Sequence, residues 1–220
     1  MIKTKKKIGL LIDSIQVSKA LNDLINLSHE SNNYEISTLI INTEKDIKYF
    51  NIFKSIFIIK NRGVRIFIKL LLLKSINLLE FKLFKIKKKF LPNIFEKFDL
   101  TNKQFKIIRV SPIISKSGLV YTYRKSDLKK IKEENLELIL RGGSGILRGE
   151  ILSICPNGII SFHHADNNII RGGPPGFWEV YKRQLKTGFI IQRLNEELDG
   201  GDVLFKGFVK TSWSYTLNLI

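Results

Sequence analysis

The sequence predicts an α/β fold built on a mostly parallel sheet. Residues 8–12 form an apolar segment of strand length, residues 18–27 carry apolar side chains at helical spacing, and residues 34–41 again have strand character. A strand, a helix and a second strand in this order make a βαβ unit, in which both strands lie parallel in one sheet. The chain has 220 residues, 44% of them hydrophobic, which is enough to bury the core of one such domain.

The turn after the first predicted strand has no Gly-x-Gly-x-x-Gly pattern, so the usual dinucleotide-binding signature is missing. Asp13 and Ser14 occupy this turn instead. Ligands of open α/β sheets bind at the C-terminal ends of strands, so we expect Asp13 and Ser14 to contact a substrate. The alternative is that both residues only cap a helix.

Residues 62–90 are rich in Leu, Ile and Phe and predict a helical insertion that ends before Pro92. No uncharged run in this segment approaches the roughly 18 residues of a transmembrane helix, so no transmembrane helix is expected. A basic amphipathic helix on a membrane surface is one interpretation, with peripheral membrane contact. Because the lysines fall on more than one helical face, a helix packed on the sheet is favoured.

Three further elements are predicted downstream. Residues 105–110 have strand character, and Ser126 is the expected N-cap of a helix. Pro174 and Pro175 precede another helix, since proline is well tolerated in a first turn. On that helix one apolar face is expected to lie in the core: Trp178, Tyr181 and Leu185.

Charge and cysteine content limit the possible partners. The net charge is +17, which is typical either of an anionic partner or of a chain biased toward lysine throughout, and the bias is favoured. The single cysteine, Cys155, excludes an intramolecular disulfide and predicts a reducing, cytoplasmic location. With only three histidines, no metal site is expected and any cofactor is organic.

The strongest functional signal is a histidine at the end of an apolar strand. After Gly158-Ile159-Ile160, alternation places Ser161 and His163 on one face and Phe162 on the other. Asp199 follows 36 residues after His163 in a Gly-rich acidic turn. A histidine that polarises an acyl oxygen and an acid that orients it are what carbonyl transfer requires. The alternative is a core histidine and an ordinary turn.

Four separated motifs then occur in a recognisable order: Gly158-Ile159-Ile160 with His163, Arg171-Gly172, Thr187-Gly188, and Leu198-Asp199-Gly200-Gly201-Asp202. Over roughly residues 130–210 the sequence resembles the folate-dependent formyltransferases, which include glycinamide ribonucleotide, methionyl-tRNA and sugar-nucleotide formyltransferases. The resemblance implies a Rossmann-like, open twisted, mostly parallel sheet with helices on both faces. On this resemblance the chain is expected to form a single domain, residues 1–220, with a divergent N-terminal half, 1–130, and a catalytic half, 131–210. Because such enzymes usually continue further, a truncated C-terminus is expected.

The resemblance also implies the chemistry and the site. A formyl group would pass from 10-formyltetrahydrofolate to a primary amine, with His163 stabilising the oxyanion and Asp199 holding the imidazole. The residues expected to hold the pterin, mainly through backbone groups, are Gly142, Gly143, Ser144, Gly145, Ile146, Leu147, Glu196, Glu197 and Leu198. Those expected to border the acceptor, beside Asp13 and Ser14, are His164, Arg171, Gly172 and Gly173.

One position departs from the family pattern. The catalytic residues of the family are Asn, His and Asp, and Ser161 stands at the Asn position. A serine hydroxyl is shorter than a carboxamide, and the loss of one oxyanion donor typically costs about 10²–10³ in rate. Either Ser161, His164 or Asn167 compensates, or the protein turns over slowly.

The acceptor amine is predicted by elimination. The sequence offers no counterpart of the C-terminal barrel of methionyl-tRNA enzymes, so tRNA is not favoured, and no glycine-rich phosphate loop follows the first strand. A nucleotide-linked amino sugar remains. Methionyl-tRNA formyltransferase-like activity, hydrolysis of the formyl donor and a catalytically weak folate-binding module are the alternatives.

Overall fold

The computed structural model describes residues 4–43, 60, 63–86, 96–166, 176–198, 200–214 and 218. The strands in this part of the chain are β1 (Lys6–Ile12), β2 (Gln16–Ser18), β3 (Tyr34–Asn42), β4 (Lys97–Asp99), β5 (Lys106–Val110), β6 (Ile113–Ile114), β7 (Val120–Thr122), β8 (Leu138–Arg141), β9 (Ile146–Leu147), β10 (Ile159–His163), β11 (Lys186–Arg193) and β12 (Asp202–Lys210). The helices are α1 (Lys19–Glu30), α2 (Val64–Ile86), α3 (Lys125–Lys132) and α4 (Phe177–Tyr181), with a 3₁₀ helix at Gly149–Ser153.

A seven-stranded sheet forms the centre of the fold. Its strand order is β12-β11-β10-β8-β1-β3-β5. The five strands from β10 to β5 run parallel, and β11 pairs antiparallel with β10. The predicted α/β fold with a mostly parallel sheet is therefore confirmed.

Apolar side chains cover the sheet on both faces, as the sequence of β1 requires. Its neighbouring residues Leu10 and Leu11 point to opposite faces and are both fully buried. Leu10 belongs to the core cluster that contains Ile25 of α1, whereas Leu11 belongs to the cluster that contains Ile131 of α3. The described helices α1 and α3 thus cover opposite faces of the sheet.

The predicted start is right for α1, which continues three residues beyond the predicted segment, and wrong for α3. The Oγ of Ser18 caps α1 by accepting a hydrogen bond from the amide of Leu21 at 3.5 Å. In α3 the N-cap is Arg124 and not Ser126. The carbonyl of Arg124 already accepts hydrogen bonds from the amides of Asp127 and Leu128, so the helix begins before Ser126 is reached.

The predicted core face beyond Pro175 is also wrong. Tyr181 is 71% exposed and Leu185 is 87% exposed. Helix α4 ends at Tyr181, so Leu185 lies outside it and cannot continue its face. The rings of Phe177 and Tyr181 instead stack on each other with centroids 5.9 Å apart.

Helix α2 lies within the predicted insertion and has 23 residues. Its apolar side chains are exposed on several sides, with Leu72 at 58%, Leu79 at 62% and Leu83 at 60%. The expected burial of these side chains is not observed, because apolar residues are spread around the helix and form no single face. No helix in the described part of the chain combines the length and hydropathy that crossing a membrane requires.

The chain divides into two compact units. The first contains Met1–Glu44, Phe95–His163 and Phe189–Gly207, and the second contains Lys45–Ile94, His164–Gly188 and Phe208–Ile220. In the second unit, the hydroxyl of Thr187 is hydrogen-bonded to Thr211 and to Asn218, both at 3.0 Å. The candidate site lies within the first unit.

Candidate active site

A small cavity lies at the C-terminal ends of β8 and β10, where open α/β sheets bind ligands. Its volume is about 70 Å³. One water in the liquid occupies about 30 Å³, so the cavity has room for a group of only a few heavy atoms, such as a formyl group. Its lining residues all belong to the first unit: Arg141, Ile146, Leu147, Ser161, Phe162, His163, Gln192, Leu194, Asn195, Glu197, Leu198 and Gly201.

A larger cavity of about 630 Å³ lies beside the N-terminal end of β10 and contains Cys155. Burial raises the pKa of the Cys155 thiol to about 11, so it stays protonated and unreactive near neutral pH. Glu137 in this cavity accepts a hydrogen bond from Asn157 at 2.8 Å. These groups already satisfy each other, and the smaller cavity is the better candidate for chemistry.

Three polar residues form one row across neighbouring strands at the small cavity. Arg141 of β8 is the register partner of Ser161 of β10, and Ser161 is the register partner of Gln192 of β11. Directly paired residues point to the same face of a sheet. All three therefore reach the same side, where Ser161 and Gln192 are each only 4% exposed.

Arg141 is a functional candidate that the sequence interpretation missed. Its Nη1 donates to the Oγ of Ser161 at 3.4 Å, and its Nη2 donates to the carbonyl of Gly145. Burial lowers the pKa of Arg141, and the negative charge of Asp13 opposes this shift. The available signal was a cation at the last position of the apolar strand Leu138–Arg141.

Ser161 and His163 lie where the strand alternation places them. Both line the cavity. Phe162 also borders it, and its ring stacks on Phe189 with centroids 5.5 Å apart. The hydroxyl of Ser161 donates to the carbonyl of Phe162 at 3.3 Å and accepts from Arg141. Its single proton is therefore directed at the backbone.

Gln192 is the second candidate that was missed. It lies in the apolar strand β11, and its Oε1 is buried without a hydrogen-bond partner among the described residues. A buried acceptor left unsatisfied costs about 1–3 kcal/mol, which a bound ligand would recover. The signal in the sequence was a lone amide after Ile190 and Ile191.

Contacts and hydrogen bonds within the protein hold the predicted pterin segment, residues 142–147, at several points. Gly145 has φ +82°, and a Cβ there would lie 2.7 Å from the ring of Tyr121, so only glycine fits. Ile146 begins β9 of the three-stranded β6-β7-β9 sheet, and its amide donates to the carbonyl of Leu119, which directly precedes β7. Since backbone groups alternate along a strand, the N–H and C=O of Leu147 point to the opposite edge.

The acidic turn after β11 closes another side of the cavity. Glu197 and Leu198 line it, while the carboxylate of Glu196 accepts a hydrogen bond from the amide of Gly149 at 2.9 Å and lies 3.5 Å from Nη1 of Arg148. A Cβ at Gly201 would collide with the carbonyl of Arg193. The close approach of the turn to β11 therefore requires glycine at this position.

Asp13 and Ser14, expected to contact a substrate, make hydrogen bonds within the protein. The carboxylate of Asp13 accepts from the amide of Ser144 at 2.6 Å, from its hydroxyl at 2.7 Å and from Nδ2 of Asn42 at 2.8 Å. The Oγ of Ser14 accepts from the amide of Gln16 at 3.1 Å. Asp13 thereby fastens the loop after β8 to the end of β3.

Asp13→Asn is expected to destabilise the protein by about 1–3 kcal/mol, because one acceptor oxygen is replaced by an NH₂ donor facing other donors. Thermal or urea unfolding would measure the change. Asp23→Asn is the matched control, since Asp23 pairs with Lys19 and its side chain is 48% exposed, so a loss below about 1 kcal/mol is expected. Equal losses in both variants would contradict the anchoring role of Asp13.

The remaining predicted site residues fall into two groups. Asp199, Arg171, Gly172 and Gly173 lie outside the described residues, as does Asn167. His164 is exposed and is not among the residues that line the cavity.

Comparisons with known proteins agree with this architecture. No protein-family model matches the chain. A methionyl-tRNA formyltransferase of Desulforamulus reducens is 25% identical over 109 residues, which are 50% of this chain and 34% of that protein. The matched part thus spans about a third of the relative.

Solved structures show the same fold. A phosphoribosylglycinamide formyltransferase from Campylobacter jejuni has 16% identity and a TM-score of 0.54, with 97% of this chain and 87% of that chain covered. The enzyme of the same name from Bacillus halodurans has 14% identity and a TM-score of 0.54, covering 94% and 81%. A formyltetrahydrofolate deformylase from Pseudomonas syringae has 13% identity and a TM-score of 0.54, covering 95% and 52%.

The fold is a Rossmann-like α/β domain with a small cavity at the C-terminal ends of its parallel strands. These matches confirm the resemblance seen in the sequence, because the chain shares the fold of formyltransferases and is similar over half of its length to one of them.

Proposed function

We propose that this protein transfers the formyl group of 10-formyltetrahydrofolate to a primary amine, with a nucleotide-linked amino sugar as the leading acceptor. The observation that carries the proposal is the position of His163, which lies at the C-terminal end of β10 in a cavity of formyl size. The fold shared with formyltransferases supports the same reaction class. Substrate identity rests on the sequence argument alone.

The proposed reaction begins when the amine nitrogen attacks the formyl carbon and the carbonyl oxygen becomes an oxyanion. His163 donates a hydrogen bond to this oxyanion from the cavity wall. Asp199 orients the imidazole and takes up the amine proton, directly or through water. Collapse of the intermediate breaks the bond to the folate nitrogen and releases tetrahydrofolate.

The pterin ring would lie between the outer edge of β9 and the acidic turn. The backbone N–H and C=O of Leu147 point away from β7 at that edge, and Glu197 and Leu198 face it across the cavity. A pterin carries donors and acceptors along one side, so a strand edge is a matching surface. Asp13 holds the loop before this edge through Ser144.

The test is incubation with 10-formyltetrahydrofolate, with and without candidate amino sugars, while tetrahydrofolate release is followed. Release that requires an amine supports transfer. Release without an amine supports hydrolysis, the reaction that the name of the Pseudomonas syringae neighbour describes. Binding of the folate without any release supports a folate-binding module and overturns the catalytic proposal.

Ser161→Asn is expected to lower turnover by about tenfold rather than restore it. Ser161 is 4% exposed and its Oγ lies 3.4 Å from Arg141, so a longer side chain would displace the guanidinium. Steady-state kinetics would measure the change. Ser161→Ala is the matched control and should stay within about threefold of wild type, because the serine proton points at the backbone. A gain in turnover from Ser161→Asn would show that position 161 still acts as the oxyanion donor.

A further inference from the structure

The cavity lacks a carboxamide at position 161, but polar groups flank that position on both sides. Arg141 lies on the strand before Ser161 and Gln192 on the strand after it, in direct register. All three residues line the same cavity of about 70 Å³. Any group bound beside His163 would therefore meet a guanidinium and an amide.

Arg141 has donor capacity that the described residues do not use. A guanidinium carries five N–H donors. One contact goes to Ser161 and one to the carbonyl of Gly145, while the Nε of Arg141 is buried without a partner among the described residues. No carboxylate in the described ranges forms an ion pair with it. A half-buried cation kept only for packing would normally have an ion-pair partner, because removing a charge from water is costly.

Gln192 complements the guanidinium. Its buried Oε1 lacks a donor among the described residues, as the Nε of Arg141 lacks an acceptor, so the two residues together offer one unused donor and one unused acceptor. A ligand that satisfies both must carry an electron-rich oxygen and an N–H group close together. The tetrahedral intermediate of formyl transfer to an amine has this composition.

We propose that Arg141 is a catalytic residue that donates to the oxyanion in place of the missing carboxamide, and that Oε1 of Gln192 accepts an N–H of the attacking amine. This assignment rests on the function proposed above. As the new C–N bond forms, the carbonyl π pair moves to oxygen, where Arg141 and His163 share the charge. When the pair returns, the bond to the folate nitrogen breaks, and that nitrogen receives the proton released by the amine.

Electrostatics favour Arg141 over Ser161 as the donor to the oxyanion. A cation interacts with a developing negative charge more strongly than a neutral hydroxyl does, and water exclusion increases the difference. The proton of Ser161 is also directed at the carbonyl of Phe162. Ser161 then acts as a positioning residue that helps to hold Arg141.

The test is Arg141→Ala, with guanidinium hydrochloride added at tens of millimolar. Turnover is expected to fall about 10²–10³-fold and to recover at least about tenfold with guanidinium, whereas His163→Ala should show no recovery. Arg193→Met is the matched control, because Arg193 is an exposed arginine beside Gln192 that does not line the small cavity. Wild-type turnover in a folded Arg141→Ala variant, or equal loss in the control, would overturn the assignment while leaving formyl transfer intact.

A second readout does not depend on turnover. Formate is a small carboxylate anion that should bind the wild-type cavity, detected by broadening of its ¹³C resonance, and Arg141→Met should abolish this binding. Arg141→Lys keeps the charge and serves if the alanine variant does not fold; it should retain formate binding and part of the activity. Formate binding that survives Arg141→Met would contradict the inference. If the wild-type protein binds formate but releases no tetrahydrofolate, the proposed function fails and the anion site remains.

Discussion

His163→Ala is expected to reduce turnover by about 10²-fold or more without unfolding the protein. His163 is the last residue of β10 and faces the cavity beside Ser161. In the proposed mechanism, truncation removes a donor at the point where the oxyanion would develop. The side chain is half-buried, and the apolar core is formed by other residues. Steady-state kinetics and circular dichroism would separate loss of chemistry from loss of structure.

The matched control is His29→Ala. His29 is an exposed histidine in the last turn of α1 and is not a cavity residue, so its variant should keep wild-type turnover. Near-normal turnover in a folded His163→Ala variant would remove His163 from the mechanism. The fold would then support only the binding-module interpretation.

Asp199→Asn is expected to cut turnover by about 10²-fold or more with little change in the free energy of unfolding. An amide keeps the size of the carboxylate but cannot accept the amine proton or favour the charged imidazole. Leu198 and Gly201, which stand on either side of Asp199 in the sequence, line the same cavity as His163. Kinetics together with thermal unfolding would check both parts of the expectation.

Asp202→Asn in the same turn is the control, because Asp202 is exposed. Its turnover should match wild type. If Asp199→Asn and Asp202→Asn behave alike, the turn serves only as structure. The acidic charge of the turn does not by itself require His163 as a partner, because Glu196 already pairs with Arg148.

Local pattern was sufficient for much of the fold. The continuous apolar run of residues 8–12 and the helical spacing in residues 18–27 predict β1 and α1, because β1 is buried on both faces of the sheet and α1 on one side. Strand alternation placed Ser161 and His163 at one cavity. The prediction that Ser126 is the N-cap of α3 is wrong, because the helix already begins at the backbone of Arg124.

The sequence by itself determined the α/β class, the resemblance to formyltransferases, the expectation that Ser161 stands at the family's Asn position and the face on which His163 lies. Only the tertiary structure decided what surrounds that position. Arg141 and Gln192 are 20 and 31 residues away from Ser161 along the chain, yet strand register makes them its direct neighbours. Register depends on how whole strands align in the sheet, so neither residue could be assigned to the site from local sequence.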